Sequence, residues 1–368
     1  LIPSPLLELV IMHEAPFCSK YFFHSMFFFS SAKSLLFNNT ILFFFSITFV
    51  FCAVPQLKKI GTFPCGRQPK QVLFSPDDKY IVMPLLEDDG IDLFNVETKK
   101  METRLKPSTS DKLGFVEGLF IPSKKSFFVS QMTTNEIHEY TYPGFVYKRS
   151  IPTGGVWTKF MVWSEDKKII AASNWVSNDI SIISYSNGKL LRLIKTAAAP
   201  RGLYFVNRGK YIISLAFDGS TIEKFETDTG KRVAYIEIPK SAMRHVVLNS
   251  EQTKAYISDM YWAKIYQIDL ASFKIEKEAK VYVNPNTIDL YKNRYLFVSC
   301  RGYNNPTDYT KRSPSNGQIY IIDTTDFSVV KKFEGGNQPT GLDISNSQKY
   351  LCFSNFQDYN IELYEIED

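Results

Sequence analysis

The sequence predicts an all-β fold, a seven-bladed β-propeller of four-stranded blades, and three observations support this prediction. The chain of 368 residues is 44% hydrophobic and 15% aromatic, a composition that suits short strands joined by frequent turns. A unit of four short apolar strands recurs along it seven times. The last unit lacks its fourth strand, and an unassigned strand precedes the first unit.

The repeat is clearest at the residue that opens the second strand of each unit. The spacings between these residues are 47, 42, 42, 44, 40 and 55, and the residues are Lys79, Ser126, Lys168, Lys210, Lys254, Arg294 and Lys349. Four strands in a unit of about 40–45 residues are typical of one propeller blade. The long final spacing predicts an insertion between the second and third strands of blade six, within "SCRGYNNPTDYTKRSPSNGQIYIID".

The two ends of the repeat predict how the ring closes. Repeat seven stops at "NIELYEIED", its third strand, whereas "QLKKIGTFPCG" (56–66) resembles the fourth strands of other blades. We therefore expect the N-terminal strand to complete the last blade, which pairs two sheet edges that would otherwise be exposed.

Residues 1–53 are predicted to be a leader that precedes a single propeller domain at 54–368. The apolar run "ILFFFSITFVFCAV" (41–54) is shorter than the roughly 20 residues that span a membrane, and it suits the apolar region of a secretory signal. Met26 is a plausible initiator.

Two kinds of processing stay open for this leader. Cleavage after Ala53 gives an ordinary secreted chain, and a lipidated Cys52 gives a lipoprotein, although Phe51 is larger than the residue that usually precedes such a cysteine. An uncleaved membrane anchor is the alternative. We expect a chain exported to the periplasm or cell surface, attached to the membrane only through this signal or a lipid.

Charge and ligand counts exclude several classes of function. The net charge is +5 without a Lys/Arg block, so nucleic acid is not an expected partner. The five cysteines form no CxxC motif, and only His138 and His245 follow the leader, so neither a metal nor another cofactor is expected. His138 is expected at the surface of a third strand. The chain is expected to be a monomer.

Several motifs resemble a known repeat. "FSPDDKYIV", "APRGLYF", "QPTGLDIS" and "GQIYIIDTTDF" are similar to the YVTN-type propeller repeat of bacterial surface-layer and YncE-like proteins, which is related to the seven-bladed lactonase group. The resemblance covers about 56–368, although blades two, three and five lack the full Pro-x-Gly start. The chain has no Trp-Asp or Gly-His pairs, so it is not of the WD40 type. The resemblance implies the fold and says little about function, because these repeats are structural.

Propeller geometry predicts where a ligand binds. First strands line the central channel, and the loops leading into them share a face with the loops between strands two and three. Alignment puts Lys70, Glu117, Lys159, Arg201, His245, Asn286 and Thr340 at the start of the first strands. With the neighbouring loops, the predicted ligand-binding set is Lys70, Lys159, Trp175, Arg201, His245, Trp262, Arg301 and Tyr303.

These basic and aromatic groups suit an anionic small molecule, a glycan or an envelope protein. The leading hypothesis is a non-enzymatic binding or scaffold module of a bacterial envelope. The alternative is a lactonase-like hydrolase with its site in the central channel, for which Glu117, His245 and Arg201 are the catalytic candidates. Glu117 alternatively pairs with Lys159 or Lys70 as a structural group. The insertion 302–316 is expected to fold toward the channel mouth, or else to cover the edge of blade six.

Overall fold

The computed structural model describes residues 54–108, 111–308 and 310–367. Within these ranges 28 strands form seven four-stranded antiparallel sheets, which confirms the predicted seven-bladed propeller. The predicted leader 1–53, with Met26, Cys52 and Ala53, lies outside the described residues. No helix in the described part of the chain is long and apolar enough to cross a membrane.

The strands follow one another along the chain with a single short 3₁₀ helix at Pro122–Lys124 among the described residues. In order they are β1 Gln56–Pro64, β2 Leu73–Phe74, β3 Tyr80–Pro84, β4 Ile91–Asn95, β5 Lys100–Leu105, β6 Phe115–Ile121, β7 Ser126–Gln131, β8 Glu136–Thr141, β9 Tyr147–Pro152, β10 Thr158–Ser164, β11 Ile169–Asn174, β12 Asp179–Ser184, β13 Leu190–Lys195, β14 Pro200–Val206, β15 Tyr211–Ala216, β16 Thr221–Glu226, β17 Arg232–Glu237, β18 Met243–Leu248, β19 Lys254–Asp259, β20 Lys264–Asp269, β21 Lys274–Lys280, β22 Pro285–Tyr291, β23 Tyr295–Cys300, β24 Gln318–Asp323, β25 Ser328–Glu334, β26 Pro339–Ile344, β27 Tyr350–Asn355 and β28 Asn360–Glu367.

The ring closes as the sequence predicts. Strand β1 is the outer strand of the last blade and pairs antiparallel with β28, from Gln56 opposite Glu367 to Pro64 opposite Asn360. The first and last segments of the propeller therefore share one sheet, and the outer edge of β28 is paired. The insertion of blade six lies between β23 and β24, also as predicted.

The hydrophobic core consists of seven layers, each between two neighbouring blades, rather than one central mass. Between blades four and five, for example, Leu215 and Ile222 pack in one cluster with Met243 and Ile257. A sheet covered on both faces needs apolar side chains on both, which explains why second strands such as β3 and β23 are nearly continuous apolar runs. The outer fourth strands are mostly exposed or half-buried.

Candidate functional site

A bulge shapes the start of the first strand in blades two to seven. The pairing of first and second strands shifts register there, for example between Pro200 and Leu203. Bulges re-aim side chains and are common beside functional sites. The residue after the first paired position of each blade forms one ring at the channel mouth: Lys70, Val116, Lys159, Arg201, Arg244, Asn286 and Thr340.

This register corrects the predicted alignment in two blades. Glu117 and His245 were expected in the mouth ring, but Phe115 pairs with Gln131 and Met243 with Asp259. Val116 and Arg244 therefore occupy the ring, and Glu117 and His245 lie one residue further along their strands. Arg244 is the residue that the sequence analysis missed.

Backbone conformation is strained where the chain turns into the first strands. The residue immediately before the first pair has a positive φ in several blades, as in Gln68 (56°), Trp157 (61°), Ala199 (55°), Asn284 (57°) and Gln338 (58°). Non-glycine residues seldom adopt this conformation, and they do so mainly where surrounding contacts impose it. These tight turns therefore fix the backbone position of the mouth-ring residues that come after them.

A serine near the end of the second strand fixes the ring in five blades. Ser258 Oγ accepts a hydrogen bond from the His245 amide (3.1 Å) and donates to the Asn286 carbonyl of the next blade (2.7 Å). The same two contacts, within a blade and to the next, are made by Ser130, Ser173, Ser299 and Ser354. The repeated "SQ", "SN", "SD", "SC" and "SN" pairs were a visible signal of this arrangement.

Five cations converge at the mouth, and we call Lys70, Lys159, Arg201, Arg244 and Arg301 the mouth cluster. Arg201, Arg244 and Arg301 are only 2%, 4% and 6% exposed. Arg301 follows β23 in blade six and donates through Nη2 to Gln338 Oε1. Burial of so many like charges is costly unless an anion compensates them.

Glu117 is the carboxylate that pairs with this cluster. Its Oε1 lies 2.5 Å from Arg201 Nη2 and 3.5 Å from Arg244 Nη2, and its side chain is also buried. The partners predicted for Glu117, Lys159 and Lys70, are therefore wrong. The Nη1 atoms of Arg201 and Arg244 are buried and have no hydrogen-bond partner among the described residues.

The pKa values of three cations in the cluster are lowered, first by burial and then by neighbouring positive charges. Burial lowers the pKa of Lys159 to about 7, with further lowering by Arg201 and Arg244. Burial, and then the charges of Arg301, Arg201, Arg244 and Lys159, hold the pKa of Lys70 well below its usual value. The pKa of Arg244 falls to about 9, chiefly through burial. One carboxylate therefore does not neutralise the mouth.

Aromatic rings flank the two lysines of the cluster. Lys159 Nζ lies 5.2 Å from the ring centroid of Trp157 and 5.5 Å from that of Trp175. Lys159 and Trp175, two residues of the predicted ligand-binding set, therefore contact each other. Lys70 Nζ lies 4.9 Å from the Phe356 centroid, and Arg301 Cζ lies 5.2 Å from it. These cation–π contacts hold the cationic ends in place. Trp157 and Phe356 were not foreseen from the sequence.

Two predicted binding residues, Trp262 and Tyr303, lie in the same set of loops but form none of these contacts. Trp262 is 43% exposed, and its indole N–H donates to the Pro239 carbonyl at 2.9 Å. Tyr303 is 59% exposed and packs edge-on against Tyr282, with ring centroids 5.9 Å apart. They supply exposed aromatic surface rather than charge.

The insertion of blade six lies as a strap across blade seven and reaches blade one. The Thr310 carbonyl accepts hydrogen bonds from Gln357 of blade seven and from Gln68, which directly precedes blade one. Ser313 exchanges backbone hydrogen bonds with the side chain of Asn337, at 2.9 and 3.0 Å. Because Gln68 is two residues from Lys70, this strap borders the mouth cluster as well as the blade-six edge.

Further along the first strands, the channel contains a cavity of about 360 Å³ with mainly apolar walls, which His245, Tyr204, Asp289 and Asp343 also line. Asp289 and Asp343 accept hydrogen bonds from the Ile344 and Phe74 amides of the next blade, at 2.9 and 2.6 Å. Burial raises the pKa of both carboxyl groups, and their mutual proximity adds to this for Asp343. Both act as bridges between blades.

The described residues contain no group of three or more His, Cys, Asp or Glu side chains arranged for a metal ion. Cys65, Cys300 and Cys352 are free thiols. His138 was expected at the surface, but it is fully buried because both faces of its blade are covered. Its Nε2 lies 2.9 Å from Gln131 Oε1. Its role is structural.

Comparison with known proteins agrees with this geometry. A family model described as the seven-bladed β-propeller lactonase matches residues 61–234. Antigen Lp49 of Leptospira interrogans serogroup Icterohaemorrhagiae serovar copenhageni (strain Fiocruz L1-130) is 37% identical over 316 residues, which are 83% of this chain and 69% of that protein. The chain belongs to the lactonase-like seven-bladed β-propeller family. Membership of this family confirms the resemblance inferred from the repeats.

Proposed function

We propose that this propeller is a binding module that holds the oxyanion group of an acidic ligand in the mouth cluster. The observation that carries the proposal is the pair of buried guanidinium groups, Arg201 and Arg244, which share one carboxylate and keep an unpartnered Nη1 each in the described structure. An unsatisfied buried donor costs about 1–3 kcal/mol, and more when it is charged. An oxyanion between these groups would satisfy both.

The composition of the cluster favours an oxyanion over a neutral ligand. Guanidinium groups match carboxylate, phosphate and sulfate oxygens through paired hydrogen bonds. Lys70 and Lys159 add two ammonium groups, whose pKa values are lowered by burial and by their cationic neighbours. A bound anion would raise both pKa values again. Four residues of the predicted set support this function together with Arg244: Lys70, Lys159, Arg201 and Arg301.

Calorimetry and thermal unfolding with sulfate, phosphate and citrate at constant ionic strength test the proposal. We expect saturable binding that raises the melting temperature, since a ligand at 100 times its Kd stabilises the folded state by about 2.7 kcal/mol. Arg244→Met should abolish the binding while Glu117 keeps Arg201 as its partner. Arg192→Met, which changes an exposed arginine of outer strand β13, is the control and should bind normally. Absence of saturable binding by the intact protein would overturn the proposal.

A lactonase-like hydrolase is the second candidate, and His245 is the observation in its favour. The pKa of this imidazole is lowered to about 3 by burial and by Arg244 and Arg201, and Nδ1 has no hydrogen-bond partner among the described residues. A neutral imidazole beside the cluster would accept a hydrogen bond from the water that attacks a lactone carbonyl; the ring C–O ester bond then breaks, and the released alkoxide takes up the proton of that water. Incubation with a panel of lactones, followed by a pH indicator, distinguishes the candidates: acid release that is lost in His245→Asn would favour the hydrolase.

We also propose that the protein is exported to the bacterial envelope. The apolar run at 41–54, which suits the apolar region of a secretory signal, supports this. Mass spectrometry of the chain from fractionated cells should find a start near Cys52 or Val54. Retention of the apolar run would instead favour a membrane anchor.

A further inference from the structure

A second recess lies on the same face as the mouth cluster, between blades four, five and six. It has a volume of about 440 Å³, and we call it the rim groove. The residues that matter for recognition are Phe217, Asp218, Ser241, Tyr261, Asn284 and Asn304. Ser220 and Lys240 also line it, so the groove combines aromatic rings with a carboxylate, an ammonium group, two hydroxyls and two amides, which include both hydrogen-bond donors and acceptors.

Ser241 gives independent evidence that the rim groove takes a polar ligand. This residue is only 3% exposed, and its Oγ has no hydrogen-bond partner among the described residues. A buried hydroxyl without a partner is destabilising, and among the described residues Ser241 is the one such group that lines this groove. A ligand hydroxyl in the groove would supply the missing partner.

The floor of the rim groove is linked to the mouth cluster by contacts between side chains. The ring centroids of Phe217 and Trp175 are 4.9 Å apart, and the Trp175 centroid lies 5.5 Å from Lys159 Nζ. Ser241 and Asn284 also precede the mouth-ring residues Arg244 and Asn286 by three and two residues. The rim groove and the mouth cluster are therefore neighbours on one face, with Trp175 in contact with a residue of each.

Tyr261 offers a flat apolar surface in this groove. It is 56% exposed, and its ring packs edge-on against Trp262 at 5.0 Å, which fixes its orientation. An amphipathic ring suits a partner with an apolar face and polar edges. A sugar ring has this character: C–H groups on its face and hydroxyl groups at its rim, each of which donates and accepts.

From these observations we infer that the ligand is an acidic carbohydrate of at least two sugar units. The acid group of the terminal unit binds the mouth cluster, and the neighbouring neutral unit packs on Tyr261 and hydrogen-bonds Ser241 in the rim groove. This inference rests on the proposed function of the mouth cluster and adds the class of ligand.

Calorimetry with two probes tests the inference: D-glucuronic acid, and a disaccharide in which glucuronic acid is linked to a neutral hexose. We expect the disaccharide to bind at least about tenfold more tightly than the monosaccharide. Tyr261→Ala and Ser241→Ala should each remove most of that gain and leave the affinity for D-glucuronic acid unchanged. Tyr235→Ala, which truncates an exposed tyrosine on outer strand β17, is the control and should keep the full gain.

The possible results separate this inference from the proposed function. Sulfate or D-glucuronic acid that binds normally, with a disaccharide that binds no more tightly, overturns the rim groove alone. A gain in affinity for the disaccharide that survives Tyr261→Ala also overturns the rim groove. An equal gain in affinity with an acetylated glutamyl dipeptide overturns it too, and would favour a peptide ligand. Loss of all binding in the intact protein overturns the proposed function as well.

Discussion

Arg201 Nη2 lies 2.5 Å from Glu117 Oε1, so an arginine of blade four pairs with a glutamate of blade two across the channel mouth. The residues are 84 positions apart in the chain, and both side chains are almost completely buried. This pair joins two blades that are not neighbours in the ring. Because Glu117 is the carboxylate that pairs with the mouth cluster, the other cations of the cluster are not fully neutralised.

Glu117→Gln should destabilise the fold and sharpen the response to anions. Removing one partner of a buried ion pair costs about 3–5 kcal/mol, because the remaining charge stays buried. We expect a loss of this size in the free energy of unfolding by urea, and a larger rise in melting temperature with sulfate than in the unchanged protein. Glu165→Gln removes a carboxylate from an exposed pair with Lys168 and should change the free energy of unfolding far less. Equal effects of the two substitutions would contradict this account of the mouth.

The stability of the protein should rise between about pH 7 and pH 10. The pKa of Lys159 is lowered to about 7 in the folded state by burial and by Arg201 and Arg244, whereas an unfolded lysine titrates near 10.4. Between these values the unfolded chain holds a proton that the folded chain has released, and stability therefore increases with pH. Glu117 is the opposing carboxylate, and it already pairs with both arginines.

Melting temperatures of the protein and of Lys159→Met across this pH range check the prediction. The rise should be smaller in the variant, in which the lowered pKa values of Lys70, Arg201 and Arg244 remain at the mouth. Sulfate affinity should change in the opposite direction, falling as pH increases, because the neutral amine of Lys159 no longer attracts the anion. Identical profiles for the two proteins would show that Lys159 does not titrate in this window.

The blade count, the closure by β1 and the position of the insertion could all be predicted from the sequence, because each follows from the order of apolar strands. The register of single residues could not. Blades one, four, six and seven have a proline at the first paired position of the inner segment, and these prolines anchor the alignment: Pro69, Pro200, Pro285 and Pro339. Blades two and five begin at Phe115 and Met243, and the bulge that follows hides a one-residue shift.

That shift is why Glu117 and His245 were assigned to the ring in place of Val116 and Arg244. Blade three also lacks the proline, yet Lys159 was aligned correctly. Contacts across the channel, such as that of Arg244 with Glu117, join residues 127 positions apart and leave no periodic signal. The sequence thus identified the face of the site but not its full set of cations.

Asn337→Ala should release the strap without changing any cation of the mouth cluster. The Asn337 side chain accepts from the Ser313 amide and donates to the carbonyls of Ser313 and Ser315, at 2.9, 3.0 and 3.2 Å. We expect limited proteolysis to cut 303–316 several times faster, since cleavage requires local opening of the segment. Asn346→Ala, which removes a side-chain bond to the Ser75 carbonyl in another loop, is the matched control. Unchanged cleavage in Asn337→Ala would show that the strap is held by its remaining contacts.

Ser258→Ala should destabilise the propeller, and Ser214→Ala should not. Ser258 is fully buried, and its hydroxyl accepts from the His245 amide and donates to the Asn286 carbonyl of the next blade. Its removal leaves two inner-strand groups without this partner, at a cost of about 1–3 kcal/mol. Ser214 is also fully buried in a second strand, but its Oγ has no hydrogen-bond partner among the described residues, so alanine removes only an unsatisfied group. Urea unfolding of both variants measures the difference, and equal losses would mean that the serine bridges do not hold neighbouring blades together.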